Sequence, residues 1–244
     1  MTYAATGIIL RRRDSGEWDR VYTVLTREHG KFACVGKGTR RPLAKLAAHL
    51  EPYSVTELVL AHGRSMDRVT FARVMASGTR FASSWELIRQ VAFIAECVDA
   101  LTRDAHRDAG LYDFLCAAFS AIAEQRCADT SSCIIRCLSI LGYAPELERC
   151  VGCRATVPPG IAAADPVRGG VLCLRCRART GEVCMLRSED RAQLASMAAD
   201  FQCIPALPAV QAFARAQLLV HLPGPLRSFP ELTGAWGVRM VTGS

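Results

Sequence analysis

No apolar run in this chain of 244 residues approaches the ~18 to 20 uncharged residues that a membrane span needs. The most apolar late stretch, Leu218 to Leu226, is interrupted by Pro223 and Pro225, so no membrane partner is expected. Lysine is nearly missing: Lys31, Lys37 and Lys45 stand against 27 arginines. Catalytic signatures are missing too. There is no HExxH and no GxSxG, and the five histidines, His29, His49, His62, His106 and His221, are scattered. Enzymes built on those motifs are excluded, and a non-enzymatic protein is expected. A secretory leader places basic residues before its apolar run, whereas Ile8, Ile9 and Leu10 precede Arg11, Arg12 and Arg13. A reducing, cytoplasmic setting is therefore expected. There, 12 cysteines argue for metal ligands or buried thiols rather than disulfides.

What is present is a charge asymmetry. Residues 1 to 80 hold 14 basic and 7 acidic side chains, a balance of +7 that equals the formal charge of the whole chain. Residues 81 to 140 carry −3 and residues 141 to 244 carry +3. A basic segment of this kind fits a polyanion, by attraction to phosphates and release of their counterions. Lys37, Arg40, Arg41 and Lys45, interspersed with Gly36, Gly38, Thr39 and Pro42, form a basic loop whose glycines let backbone approach a phosphate closely. It is not an ATP-binding loop, because Gly30 and Gly36 are separated by five residues and Gly38 takes the Ser/Thr position after Lys37. Arg11 and Arg13 form a second basic run, with Arg12 on the other face if the segment is a strand. Tyr22, Phe32, Tyr53 and Phe71 are candidate platforms for bases, although aromatics on barrel strands more often fill the core.

Period divides the chain. Thr6 to Leu10, Arg20 to Thr26, Lys31 to Val35, Tyr53 to Leu60 and Arg68 to Val74 read as five short strands. They suggest a small antiparallel barrel over residues 1 to 80, with a short helix within Arg41 to Leu50. From Ser84 the period becomes helical: Trp85, Ile88, Val91, Ala95 and Val98, then Leu111, Phe114, Leu115, Ala118 and Ile122. A third helix starts near Asp129 to Ser131 and stops at Gly142, and two more are expected from Ser188 to Ala199 and Leu207 to Val220. The expected class is multidomain α+β, with residues 81 to 244 helical and an inserted module at 144 to 182.

That module lacks periodicity and holds Cys150-x2-Cys153, a gap of 19 residues, and Cys173-x2-Cys176. Each pair sets two thiolates on one turn, and two such turns can close a tetrahedral site, for which one structural zinc is the expected ion. Two unrelated turns, or a redox pair, remain the alternative. Cys184 lies close enough to be a further candidate ligand, while Cys97, Cys116, Cys133 and Cys137 read as packed thiols.

With these residues laid out, the chain resembles the RecO family of bacterial recombination mediators. The resemblance runs through Gly7-Ile-Ile-Leu10, Asp19-Arg20, Leu25 to Lys31, Lys37-Gly-Thr-Arg-Arg41 and Leu50-Glu-Pro-Tyr53. It continues through Leu141 to Leu147 into Cys150, Gly169-Gly170 before Cys173, His221-Leu222, and Leu226-Arg-Ser228, and has no counterpart from Phe229 onward. The resemblance implies an N-terminal OB-fold barrel, a helical domain and a four-cysteine zinc module. It also implies a DNA-binding protein of recombinational repair that binds single- and double-stranded DNA, anneals complementary strands and engages single-strand binding protein. With RecR such a protein promotes RecA loading, and RecA-coated DNA is a further implied partner. The DNA-contacting residues expected are Arg11, Arg13, Lys31, Lys37, Arg40, Arg41 and Lys45. Rival readings are a zinc or thiol-redox enzyme acting on nucleic acid and a sequence-specific regulator with a zinc ribbon.

Overall fold

The computed structural model describes residues 1–105, 107–127, 129–179 and 184–228, so His106, the last residues of the expected module and the segment from Phe229 lie outside it. Strand β1 (Thr2–Ser15) is long enough to serve two neighbours. Its first half runs antiparallel to β4 (Val55–Ala61) and its second to β2 (Asp19–Thr26). Gly7 sits where the two pairings overlap, and a Cβ there would lie 2.4 Å from Val24 Cγ1. Only glycine lets β2 approach this closely here. With β3 (Gly30–Gly36) and β5 (Asp67–Ala76) the strands close a barrel in the order β1-β2-β3-β5-β4.

The closing pair is the one departure from the expected antiparallel pairing of the barrel. β3 and β5 are parallel, with Cys34 beside Asp67 and Val35 beside Arg68. The cause is the connection after β3, which leads away from that edge through a 3-10 turn at Lys45–His49, so that β4 joins β1 instead. That turn is the short helix expected within Arg41 to Leu50.

Ile9, Tyr22, Val24, Cys34, Leu58 and Leu60 fill the barrel. Ile8, Leu10 and Leu25 point the other way and join the core of the helices. The Ile8–Leu10 part of β1 is thus buried on both faces, which explains an unbroken apolar run where a half-exposed strand would alternate.

The helical layer begins with α1 (Trp85–Leu101), capped by Ser84 Oγ accepting from Glu86 N at 3.2 Å. α2 (Ala109–Ala123) is capped by Asp108 Oδ1 accepting from Leu111 N at 3.0 Å. α3 (Ser131–Ile140) ends before Gly142, which adopts φ +88°. Leu111, Phe114, Leu115, Ala118 and Ile122 are all buried, as their spacing requires, but Trp85 at the start of α1 is 74 % exposed.

The stretch read as aperiodic holds two short strands, β6 (Ala162–Asp165) and β7 (Gly170–Leu172), and one helical turn, α4 (Leu174–Arg177). β8 (Cys184–Leu186) completes a three-stranded sheet beyond residue 182. All four residues of β6 are buried, so no alternation marks it in the sequence. α5 (Ser188–Ala199) and α6 (Pro208–His221) pack on α3, and Pro208 stands in the first turn of α6, where its missing N–H costs nothing. Cys127 and Cys203 form a disulfide with Cα atoms 4.8 Å apart, which corrects the expectation of thiols alone. Among the described residues no helix is long and apolar enough to cross a membrane.

Candidate metal centre and nucleic-acid interface

The two cysteine turns are brought together by backbone. Arg154, at φ +65°, reverses the chain so that its N–H bonds Cys150 O at 2.8 Å, while Arg149 bridges Thr156. This turn is pinned to β7 by Val151 N donating to Val171 O at 2.9 Å and Val171 N donating to Glu146 O at 2.9 Å. Gly170 permits the approach, since a Cβ there would lie 2.3 Å from Glu146 O. Cys173 lies just before α4, whose Arg177 N donates to Cys173 O at 2.9 Å.

The result is four sulfurs, of Cys150, Cys153, Cys173 and Cys176, within 4.8 Å of one another. Four thiolates ~2.3 Å from a tetrahedral ion lie ~3.8 Å apart, so the cluster fits a metal. Gly152 leaves the room: a Cβ there would meet Cys176 Sγ at 3.0 Å. Burial pushes the Cys150 thiol up, but the N–H groups of Cys173, Cys153 and Gly152 outweigh it and bring the group down to about 6. The Cys176 N–H is the main cause that lowers Cys173. Cys176 is pushed up to about 12, first by hydrogen bonding with the sulfurs of Cys153, Cys173 and Cys150. Cys184 sits on β8 opposite Ala164, outside this group. Cys97, Cys133 and Cys137 are buried, and desolvation raises all three, which leaves them as packing residues.

The expected DNA contacts divide. Lys37, Arg40, Arg41 and Lys45 are exposed on the loop and turn after β3. Asp19 and Asp14 shape this loop. Asp19 Oδ1 accepts from Gly38 N at 2.8 Å and its Oδ2 from Lys37 Nζ at 2.6 Å, while Asp14 Oδ2 lies 3.4 Å from Arg40 Nε. Arg40 N donates to Trp18 O at 3.0 Å, which ties the loop to the β1–β2 turn. Arg41 lies over the Trp18 ring at 5.9 Å. Arg11 pairs with Asp99 at 3.5 Å on the helical side, Arg12 with Glu51 at 2.5 Å, and all of Arg11, Arg12 and Arg13 are exposed.

Lys31 is the correction. It is buried, and its Nζ donates to Asp99 O at 2.5 Å, Thr102 O at 2.8 Å and Asp99 Oδ1 at 3.1 Å. All three of its donors are used at the end of α1, so it is a structural tie and not a phosphate contact.

Three further residues went unnoticed in the sequence. Arg64 in the β4–β5 loop and Arg68 on β5 are exposed, and Arg68 is in register with Val35, two residues from Lys37. No acidic side chain among the described residues lies within 4.0 Å of Arg13, Lys45, Arg64 or Arg68. Trp18, 43 % exposed in a tight turn, is the third, and its position in a turn instead of a strand was the available signal. Of the aromatic candidates, Tyr22 is wholly buried and Tyr53 packs edge-on against Phe119 at 6.2 Å, whereas Phe71 is 53 % exposed and Phe32 half-buried.

Comparison with known proteins covers nearly the same ground. Residues 1–77 match the family described as Recombination protein O N terminal, and residues 85–227 match Recombination protein O C terminal. A DNA repair protein RecO of Bifidobacterium longum (strain DJO10A) is 34% identical over 176 residues, 70% of this chain and 72% of that protein. A DNA repair protein RecO of Rubrobacter xylanophilus is 30% identical over 234 residues, 91% of this chain and 93% of its own length. With both family matches falling on the barrel and the helical layer in turn, the chain belongs to the RecO family.

Proposed function

We propose that this protein is a non-enzymatic mediator of recombinational DNA repair. Membership of the RecO family assigns it to DNA repair and recombination. The observation that supports the finer reading is a closed OB-type barrel on which Lys37, Arg40, Arg41 and Lys45 are exposed after β3, with Arg40 and Arg41 tied to Trp18, and on which Arg64 and Arg68 are exposed at the start of the neighbouring β5. Phosphates of single- and double-stranded DNA are the ligands that such a rim attracts, largely without regard to sequence. Holding two strands on one basic surface lowers their mutual repulsion, so complementary bases pair and supply the free energy. No covalent step and no ATP is needed.

In this reading the protein works in the cytoplasm on the nucleoid, engages DNA coated with single-strand binding protein, and with RecR promotes RecA loading, RecA-coated DNA being a further partner. The four-cysteine group holds one structural zinc: a complete thiolate sphere leaves no position for a reacting water. An annealing assay on complementary oligonucleotides precoated with the cognate single-strand binding protein tests the proposal. Acceleration by the protein without nucleotide is expected. Annealing no faster than in its absence overturns the reading.

A further inference from the structure

The barrel mouth beside the β4–β5 loop is a shallow cavity of about 460 Å3 with an aromatic lining. Tyr3, from the start of β1, is its centre. The His62 ring stacks on Tyr3 with centroids 5.0 Å apart at 29°, and His29 meets it edge-on at 5.2 Å. Phe32 lines the same cavity and packs on the barrel core. Two histidines that the sequence separates by 32 intervening residues thus flank one phenol.

The rings are held in place. Tyr3 Oη donates to Asp67 Oδ2 at 2.6 Å, and Asp67 Oδ1 accepts from Gly63 N at 3.3 Å and lies 3.3 Å from His62 Nδ1. The loop carrying His62 is tight: a Cβ at Gly63 would lie 2.0 Å from Met66 O. A platform fixed in this way loses little freedom when something stacks on it.

Asp67 decides what that something is. It is the one carboxylate lining the cavity among the described residues, and it would repel a phosphate placed there. A neutral, planar heterocycle with polar N–H groups suits aromatic faces beside a carboxylate acceptor. The charges that phosphates need lie just outside, on Arg64 and Arg68, and Arg68 on β5 is paired with Val35 of β3, two residues before Lys37.

We propose that the barrel mouth formed by Tyr3, His29, Phe32 and His62 is a stacking subsite for an unpaired nucleobase of a single strand whose phosphates lie on Arg64, Arg68 and the basic loop. The inference rests on the DNA-binding reading above and adds to it a contact that a duplex cannot make, since its bases present no free face. The mouth therefore distinguishes single strands from duplex where the basic rim does not.

The test compares oligonucleotides of equal length and charge, one bearing bases and one wholly abasic, with duplex as a third ligand. The full-length protein, Tyr3→Ala, His29→Ala/His62→Ala and the ring-keeping Tyr3→Phe are titrated with each. The wild type is expected to prefer the base-bearing strand. Tyr3→Ala and the double histidine variant are expected to lose about 5- to 100-fold on it, the range of one lost base stack, and to bind abasic strand and duplex as before. Tyr3→Phe keeps most of the preference. His62 is exposed and His29 half-buried, and neither belongs to the barrel core, so their variant carries the test if Tyr3→Ala does not fold. Equal losses on all three ligands, no loss, or no wild-type preference for bases overturns the subsite. Absence of binding to every ligand overturns the DNA-binding reading itself.

Discussion

Lys31 Nζ lies 3.1 Å from Asp99 Oδ1 and donates to the carbonyls of Asp99 and Thr102, so a barrel lysine closes the last turn of α1. The Lys31 side chain is 7 % exposed and that of Asp99 17 %. The backbone repeats the link, with Ala105 N donating to Lys31 O at 2.7 Å. Cationic charge at a helix C-terminus is also favourable to the helix dipole. The barrel and the helical layer are therefore joined by a desolvated ion pair as well as by the apolar contacts of Ile8, Leu10 and Leu25.

Removing the lysine alone should be costly, because it leaves two carbonyls without their donor and the Asp99 carboxylate with only the half-exposed Arg11 at 3.5 Å. Lys31→Ala is expected to lose about 2 to 4 kcal/mol of unfolding free energy. Urea denaturation measures it. At full folding the variant should bind DNA as the wild type does, since Lys31 is shielded from solvent; a flattened salt dependence would return Lys31 to the DNA interface.

The basic loop should behave in the opposite way. Lys37, Arg40 and Arg41 are exposed, and replacing all three with Ala should leave the melting temperature nearly unchanged. Each phosphate neutralised on a single strand contributes ~0.7 to the slope of log affinity against log salt, so the triple variant should flatten that slope by ~2. An unchanged slope would take the loop out of the interface.

Asp14 and Asp19 offer a gain-of-function check. The Lys37 hydrogen bond, and then the Gly38 N–H, hold the Asp19 carboxyl below its ordinary value, so it is anionic at neutral pH and competes with DNA for Lys37. Asp19→Asn keeps an oxygen for the Gly38 N–H and discards the charge. Together with Asp14→Asn it should tighten DNA binding about 2- to 5-fold at low salt, the scale of exposed ion pairs. Fluorescence anisotropy at two ionic strengths would show it, and weaker binding would mean the loop's shape matters more than its charge.

The division into barrel, helices and cysteine module was legible because its signals are local. Cys150-x2-Cys153 and Cys173-x2-Cys176 each lie on a single turn, and Leu111 to Ile122 repeat on one helix face. Contacts between distant segments were not legible. Lys31 reads as one more cation on a basic strand until α1 is seen to end over it. Cys127 and Cys203 are 76 residues apart, and His29 meets Tyr3 only because the barrel closes. Ile8 to Leu10 read only as part of a short apolar strand, and that it is covered on both sides appears once Ile9 is seen in the barrel core and Ile8 and Leu10 in that of the helices.

Glu96 should make the end of the described chain sensitive to acid. Burial alone would raise its carboxyl, but Ser228 Oγ, Arg227 N and Ser228 N all donate to it and hold it below the ordinary value. A depressed carboxylate gives its full stabilisation above the unfolded value, near ~4.3, and loses it as pH falls through the lower folded value. Amide exchange at Arg227 and Ser228 should therefore be protected at pH 6 and lose that protection below about pH 4. Glu96→Gln should exchange fast at both pH values; protection that survives acid would assign the contact to packing alone.

The cysteine centre should separate folding from binding. Zinc bound by four thiolates lends its binding free energy to the fold around it, and here that is the segment from Cys150 through α4 and the strands that pin it, not the barrel. One zinc per chain is expected by elemental analysis of protein purified with its thiols reduced. Cys153→Ser, at the exposed corner of the cluster, should lower metal content and the thermal stability of the helical layer. Because the basic rim lies on the barrel, short-oligonucleotide binding by that variant at low temperature should change by less than about 2-fold, within the scatter of distant substitutions. A large loss of binding with the barrel still folded would make the metal module part of the DNA surface, and metal-free wild type with reduced cysteines would remove zinc from the account.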